Sequence, residues 1–342
     1  MKAIIYYFGV GVFSCFFLYA IPAYPVSVLS NVTLDTYYNS NILRLSEENI
    51  DEFKYGEKPE KYHINSVDDI VTELRGEFGI KHTYFKGHTQ IDRFFLKYTK
   101  FWNNEIKNYI YLGAELKQYF SKYLYISFKY FYYPGVYMNH YQSVFDDSYH
   151  EFSYEKDIYR FLIHWAFRDW LQVGYNLDYE KHFYNEYFPE YNATKYDHVI
   201  SATLHSKANH KVRFRYTYTI SSAEPPSRIR DASYKSNVYY TSISFPFHLD
   251  CLPRECAISY GMEFEERSFQ SQESTGIDPF HAGRKDKIFT VDLHASYPLS
   301  ETISLKALYE YKMRNTISPL GYVEAEKEYN LHKIGASIGI KI

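Results

Sequence analysis

The chain has 342 residues, 46% of them hydrophobic and only 23% charged, with a net charge of −3. That balance offers no clustered basic face, so it excludes nucleic acid as a partner. Aromatic residues are in excess, with 40 Tyr, 26 Phe and 3 Trp, 20% of the chain. Tyr pairs an apolar ring with a polar tip and suits positions that are dry at one end and wet at the other, and membrane barrels carry such residues in two girdles.

Lys2 followed by the nearly all-apolar run Ala3 to Ala20, then Pro22 and Ala23, reads as an export signal over 1–23 with cleavage after Ala23. An uncleaved anchor is the rival, and a lipoprotein reading at Cys15 is disfavoured because apolar residues continue past it. No later run reaches the roughly 18 apolar residues that a membrane helix needs. An exported chain can still span a bilayer as a closed barrel of strands.

From Val26 onward the pattern alternates with period two, the mark of strands with two unlike faces. The spacing predicts about fourteen strands, at 26–39, 68–84, 88–102, 107–120, 122–133, 149–167, 171–184, 194–206, 211–221, 234–249, 255–268, 286–298, 302–314 and 328–342. In the last, Ile334, Ala336, Ile338, Ile340 and Ile342 oppose Lys333, Gly335, Ser337, Gly339 and Lys341. Connections after even-numbered strands are mostly short and those after odd-numbered strands mostly long, with 103–106 as the exception. Tight turns on one side and long loops on the other are the arrangement of outer-membrane barrels. The expected fold is therefore all-β, a single antiparallel transmembrane barrel over 24–342, in a bacterial outer membrane with both termini periplasmic.

Alternation places charged side chains on the lumen side: Glu73, Arg75, Glu77, Lys81, Glu115, Lys117, Lys129, Arg160, Arg168, Asp178, Glu180, Arg213, Arg215, Glu263, Glu265, Asp292, Lys306, Glu310 and Lys312. Both signs occur, so these groups either pair across the barrel or line a wet channel; rings of charge tune what a pore passes. Tyr109, Tyr111, Tyr119, Tyr123, Tyr125 and Phe131 cluster inward on the fourth and fifth strands, where rings would stack on a solute or simply pack the lumen.

The segment Val32-Thr33-Leu34-Asp35-Thr36-Tyr37-Tyr38-Asn39-Ser40-Asn41-Ile42 resembles the opening of porin-like outer-membrane families, whose first strand ends in Tyr-Asp-Ser-Asn-Val or a close variant; Asn39 replaces the usual Asp. It is also similar to the barrel part of surface lipoprotein assembly modifiers, which implies fourteen strands, although the chain has no room for their preceding helical repeats. The chain end resembles barrel-assembly signals in its alternation and Gly335, but finishes on Ile342 in place of an aromatic residue.

Catalytic echoes are slight. Asp146-Asp147 with Asp197-His198 resembles the acid and His-Asp sets of omptin proteases, which activate water, but here the acids are adjacent and solvated loop charge is the simpler reading. Asn139-His140 with Ser143 is a faint echo of outer-membrane lipases. The 14 His show no metal-ligand spacing, and no cofactor motif appears. With Cys15 removed, Cys251 and Cys256 form an even pair around Pro253 in a periplasmic turn, and a disulfide is expected between them. The expected function is a porin-like channel for small polar solutes; the rivals are a translocation or assembly barrel with periplasmic or surface partners and a loop-presenting adhesin or receptor. The implied partners are the lipid bilayer with lipopolysaccharide and the barrel-assembly machinery.

Overall fold

The computed structural model describes residues 26–84, 87–143, 145–224 and 230–342; the expected export segment, 1–23, lies outside them. Fourteen antiparallel strands close into one barrel in which each strand pairs with its neighbours in sequence. They are β1 (Ser27–Asn39), β2 (Asp69–Tyr84), β3 (His88–Phe101), β4 (Tyr109–Tyr119), β5 (Leu124–Gln142), β6 (Tyr149–Arg168), β7 (Leu171–Tyr184), β8 (Ala193–His205), β9 (Lys211–Ala223), β10 (Tyr234–Phe247), β11 (Cys256–Phe269), β12 (Lys285–Pro298), β13 (Ile303–Ile317) and β14 (Tyr329–Lys341). β14 returns to pair with β1, Ile334 opposite Tyr38 and Ile338 opposite Leu34, so no strand edge is left open. Gly335 makes that closure possible: a Cβ there would lie 2.3 Å from the Thr36 carbonyl oxygen and 2.6 Å from the Tyr37 Cα.

The outer face is apolar and uncovered. Leu34, Leu74, Leu96, Leu112, Ile163, Ile200, Phe214, Ile243 and Leu293 all stand exposed on it. A water-soluble protein rarely leaves so much contiguous apolar surface bare, whereas a hydrocarbon bilayer covers it and a closed barrel satisfies every backbone group within it. The chain is a transmembrane β-barrel in contact with lipid. No helix among the described residues is long and apolar enough to cross a membrane, so the strands are what crosses.

At one rim, the turn rim, connections are tight, as at 120–123, 169–170 and 206–210; at the other, the loop rim, they are long. Outward tyrosines bond to polar groups, Tyr38 to Asp68 at 2.9 Å at the loop rim and Tyr130 to Asp157 at 2.6 Å further down the wall, each apolar ring keeping a partner for its hydroxyl.

Two expectations are corrected. The fifth strand does not stop at Tyr133: it runs through Pro134 and Gly135 to Gln142, because register shifts at Tyr133/Val136 and Tyr137/Asn139 absorb the two breakers as bulges. The loop expected over 134–148 is therefore only 143–148. The disulfide is also absent. Cys251 is an exposed free thiol and Cys256 a buried one. Cys256 opens β11 opposite Phe247, so the ladder directs its side chain and sets the register without a crosslink.

Candidate functional site: a lumen narrowed by the first loop

Residues facing away from lipid are largely polar, and most of their carboxylates are paired. Glu115 accepts from Arg93 at 2.9 Å and from Ser127 Oγ at 2.7 Å, with Lys129 Nζ 3.1 Å away. Asp178 takes Arg160 through two bonds of 2.8 and 2.6 Å, the strong planar geometry of a guanidinium–carboxylate pair. Glu263 bonds Arg215 at 2.7 Å, Glu265 bonds Arg267 at 2.9 Å and Glu310 bonds Lys333 at 2.9 Å. Arg75 lies 3.9 Å from both Asp35 and Glu73, and Lys97 reaches Glu73 at 2.7 Å. Asp292 lies 3.9 Å from His294. Glu77, Lys81, Arg213 and Lys306 share this face with no ion pair among the described residues. Lys117 lies over the Tyr125 ring at 3.7 Å. Arg168 departs from the expected pattern: the register breaks between Ala166 and Arg168, and it ends β6 exposed at the turn rim.

Asp178, Glu180 and Asp197, all buried, hold ligand atoms within 4.8 Å of one another. Lys195 already bridges Asp197 at 2.7 Å and Glu180 at 3.6 Å, and Arg160 holds Asp178. With His182 3.1 Å from Glu180, every carboxylate of the cluster already has a basic partner, and a cation would enter only by displacing these partners.

The loop between β1 and β2 narrows the barrel. Its Ile42, Leu45, Tyr62 and Ile64 are buried against the wall residues Val71 and Phe101, with Tyr37 and Tyr109 packed alongside. Burying apolar side chains of this size contributes roughly 1.5–3 kcal/mol each, enough to hold a 29-residue connection against the wall. Its helix α1 (Glu47–Tyr55) starts at Ser46, whose Oγ accepts from the Asn49 amide at 3.2 Å, and ends at Gly56 with φ +69°. Glu52 receives Lys58, Lys61 and the Tyr62 hydroxyl; burial alone would raise its pKa, but these bonds outweigh it and hold the carboxyl at about 2.

At the start of this loop the chain makes a clamped turn. The Asn41 side chain donates to the Leu45 carbonyl and accepts from the Leu45 amide, both at 2.8 Å, and also donates to the Asn330 carbonyl of β14 at 3.1 Å. Arg44 sits inside the turn with φ +58°, its side chain exposed between the half-buried Leu43 and the buried Leu45. A residue with a Cβ rarely adopts this left-handed conformation; here Ile42 and Leu45, turned into the packed cluster, enforce it.

Lys107 sits in the 3-10 turn Glu105–Lys107 between β3 and β4. That loop is pinned by Asp69, which accepts from the amides of Trp102, Asn103 and Asn104. Lys107 Nζ donates to the Tyr137 carbonyl at 3.2 Å and lies 5.5–5.8 Å from the Tyr137 and Phe101 rings, with no carboxylate partner among the described residues. Burial, and secondly Arg44, push its pKa down to about 7.

An aromatic ladder descends the wall beneath. Tyr111 lies 4.9 Å from Tyr133 and 5.9 Å from Phe131, Phe131 lies 5.8 Å from Phe95, and nearer the turn rim Tyr119, Tyr125 and His164 stack in sequence. Tyr123 lies in the 120–123 turn, outside this ladder.

The enzyme-like echoes do not assemble. Asp197 faces the lumen while His198, next on the strand, faces outward and pairs with the outward Tyr175 at 2.9 Å. Asp146 bonds His150, at the start of β6, at 2.7 Å. His140 pairs with Tyr137, whereas Ser143 donates to the Tyr187 carbonyl. Alternation on the β3 and β8 segments carried the signal for Arg93, Lys97 and Lys195; nothing local marked Arg44 or Lys107.

No sequence-family profile matches the chain, and no curated protein matches it. Solved structures similar in shape include an anion-selective porin from Comamonas acidovorans, at 9% identity, 93% coverage of this chain and 100% of that one, and a TM-score of 0.47. The outer membrane channel DcaP of Acinetobacter baumannii gives 9%, 94%, 99% and 0.49, and OmpT, an outer membrane protein of Vibrio cholerae, gives 9%, 95%, 99% and 0.46. Likeness at this distance adds nothing to the barrel architecture that the strand register already defines.

Proposed function

We propose that the protein is a bacterial outer-membrane channel that admits small polar solutes. The observation that carries this reading is the contrast between the two faces of one closed fourteen-stranded sheet: apolar where it meets lipid, ion-paired and hydroxyl-rich where it surrounds the lumen. A barrel needing only to be an anchor has no use for so many charges on its inner wall, which are costly to bury in a dry interior; a wet passage keeps their free faces solvated. The tight turns then lie on the periplasmic side with both termini, and the loops meet lipopolysaccharide at the cell surface, after insertion by the barrel-assembly machinery.

The test is conductance of the purified protein in planar bilayers, together with swelling of liposomes in isosmotic sugars and amino acids. Discrete steps and solute-dependent swelling support the channel. A non-conducting barrel refutes it and leaves the loop-presenting adhesin or receptor reading. That rival draws on the ties among the loops, such as Asp278, which bonds His281 at 2.7 Å and accepts from the Asp231 amide at 2.9 Å.

A further inference from the structure

We propose that the inner wall at the turn rim carries an oxyanion site, built from Lys81, Lys117 and Lys122 with the Ser121 hydroxyl, that takes the phosphate group of a small phosphomonoester. The site rests on its own geometry and not on conduction, so it stands or falls apart from the channel reading.

Strand register brings the first two cations together. Lys81 on β2 stands opposite Ile91 on β3, and Ile91 stands opposite Lys117 on β4. One lumen-facing row therefore holds two lysines with the buried Ile91 as the floor between them. Neighbouring strands lie about 4.8 Å apart, which sets the two lysine backbones on the order of 10 Å from each other. The tight turn after β4 supplies the third cation. Lys122 and Ser121 line a cavity of about 370 Å³ together with Lys81, Ile91, Tyr119 and His88. Lys117 borders that cavity through Tyr119: its Nζ lies 5.0 Å from the centre of the Tyr119 ring and 3.7 Å from that of Tyr125.

Pairing sets this place apart from the rest of the wall. Lys81, Lys117 and Lys122 form no ion pair among the described residues. Glu115, two residues before Lys117 on the same face, already bonds Arg93, Ser127 and Lys129. Glu77 stands four residues along β2 from Lys81, about 13 Å away at the rise of a strand. Asp169, in the neighbouring turn, reaches Lys122 only at long range. The Ser121 Oγ accepts from the amides of Tyr123 and Leu124, both at 3.1 Å, so its own proton is left to donate outward.

The chemistry of these donors selects the ligand. Ammonium groups act on phosphate as point charges with rotatable donors. A phosphate monoester presents three acceptor oxygens and nearly two negative charges, which three lysines and a hydroxyl match; a carboxylate would leave donors unused. Tyr125 is already engaged by Lys117 and by the His164 ring stacked at 4.6 Å, so recognition falls on the charged end of the ligand. The cavity volume, at the small end for ligand sites, limits the remainder to a few carbon atoms.

The experiment is calorimetric titration of glycerol 3-phosphate into the full-length barrel in detergent at pH 8, above the second phosphate pKa of about 6. Glycerol and acetate are the controls for charge and for ligand class. The proteins are the wild type, K81Q, K122Q, the double variant and K54Q, whose side chain is exposed on α1; heat-modifiable gel mobility reports that each is folded. A unit charge about 4 Å from a dianion in water-like surroundings, partly screened by salt, is worth about tenfold in affinity. Saturable binding should therefore weaken about tenfold in K81Q or K122Q, vanish in the double variant and stay unchanged in K54Q, with glycerol not bound. No saturable binding to the folded wild type, or binding that K81Q and K122Q leave unchanged, overturns the site. Acetate binding as tightly as glycerol 3-phosphate overturns the assignment to phosphate.

Discussion

Ile200 on β8 tests the sidedness of the barrel most directly. It is 59% exposed on the outer face, flanked in register by Tyr175 and Tyr216. It stands five residues before His205 at the turn rim. A strand rising about 3.3 Å per residue and tilted about 40° gains roughly 2.5 Å of height per residue. Ile200 therefore sits about 13 Å above that rim, near the middle of an apolar band about 25 Å tall. Ile200→Arg should cost about 2–4 kcal/mol of folding stability in lipid, the penalty for an arginine at the bilayer midplane. Leu305→Arg, on the same face but only two residues inside the start of β13, lies about 5 Å from the rim and should cost no more than about 1 kcal/mol, as expected near the interface. Thr217→Arg, facing the lumen between Val199 and Val238, should also be mild. Urea titration of folding into phosphatidylcholine vesicles, read by heat-modifiable gel mobility and Trp fluorescence, gives all three values. Equal losses at 200, 217 and 305 would refute both the face assignment and the depth argument.

Three further outcomes follow from other parts of the barrel. Gly335→Ala should weaken closure between β1 and β14 by about 1–3 kcal/mol, the usual range for overpacking, because backbone atoms of Thr36 and Tyr37 meet the added Cβ; loss of the compact gel species on mild heating reports it. Arg284 and Asp286 form a buried two-bond pair of 2.8 and 2.6 Å at the loop rim. Arg284→Ala should cost about 3 kcal/mol, the low end of the range for breaking a buried pair, because Asp286 keeps Thr316 Oγ1 at 3.1 Å and Arg314 at 4.0 Å, and the double alanine variant should cost less; protease cleavage within 270–284 is the readout. Lys107, with a pKa of about 7, is charged below that pH and neutral above it. The groups in contact with its ammonium, Phe101, the Tyr137 ring and the Tyr137 carbonyl, carry no charge. Chloride preference should therefore be higher at pH 6 than at pH 8.5, and Lys107→Met should flatten that difference; an unchanged profile would remove Lys107 from the pore.

Much of this was legible in the sequence, and for a physical reason. A barrel strand sees lipid on one side and water on the other, so every second residue is held to one solvent, and alternation such as Ile334 to Ile342 against Lys333 to Lys341 reports strand and face together. Thirteen of the fourteen expected spans agree with the observed strands to within a few residues. The fifth was cut short because Pro134 and Gly135 read locally as an end, while only pairing with β6 decides that a bulge can carry them. Similarly, the spacing of Cys251 and Cys256 allowed a bridge, but strand register holds Cys256 in a buried place opposite Phe247 while Cys251 stays exposed in the turn.

The sequence by itself determined the strands, their two faces and the division into turns and loops, because each depends on a residue and its near neighbours meeting one of two solvents. Tertiary structure alone decided the interior. Whether a loop lies outside the barrel or folds into it depends on contacts between residues far apart in the chain, such as Ile42 and Leu45 with Val71 and Phe101. Which charges are neutralised depends on what the register sets side by side on the wall: Arg93 stands opposite Glu115 on the next strand, and Arg215 reaches Glu263 past the single strand between them. Arg44 is one arginine in a polar loop when read along the chain; the Asn41 clamp and the burial of Ile42 and Leu45 hold it in a left-handed turn.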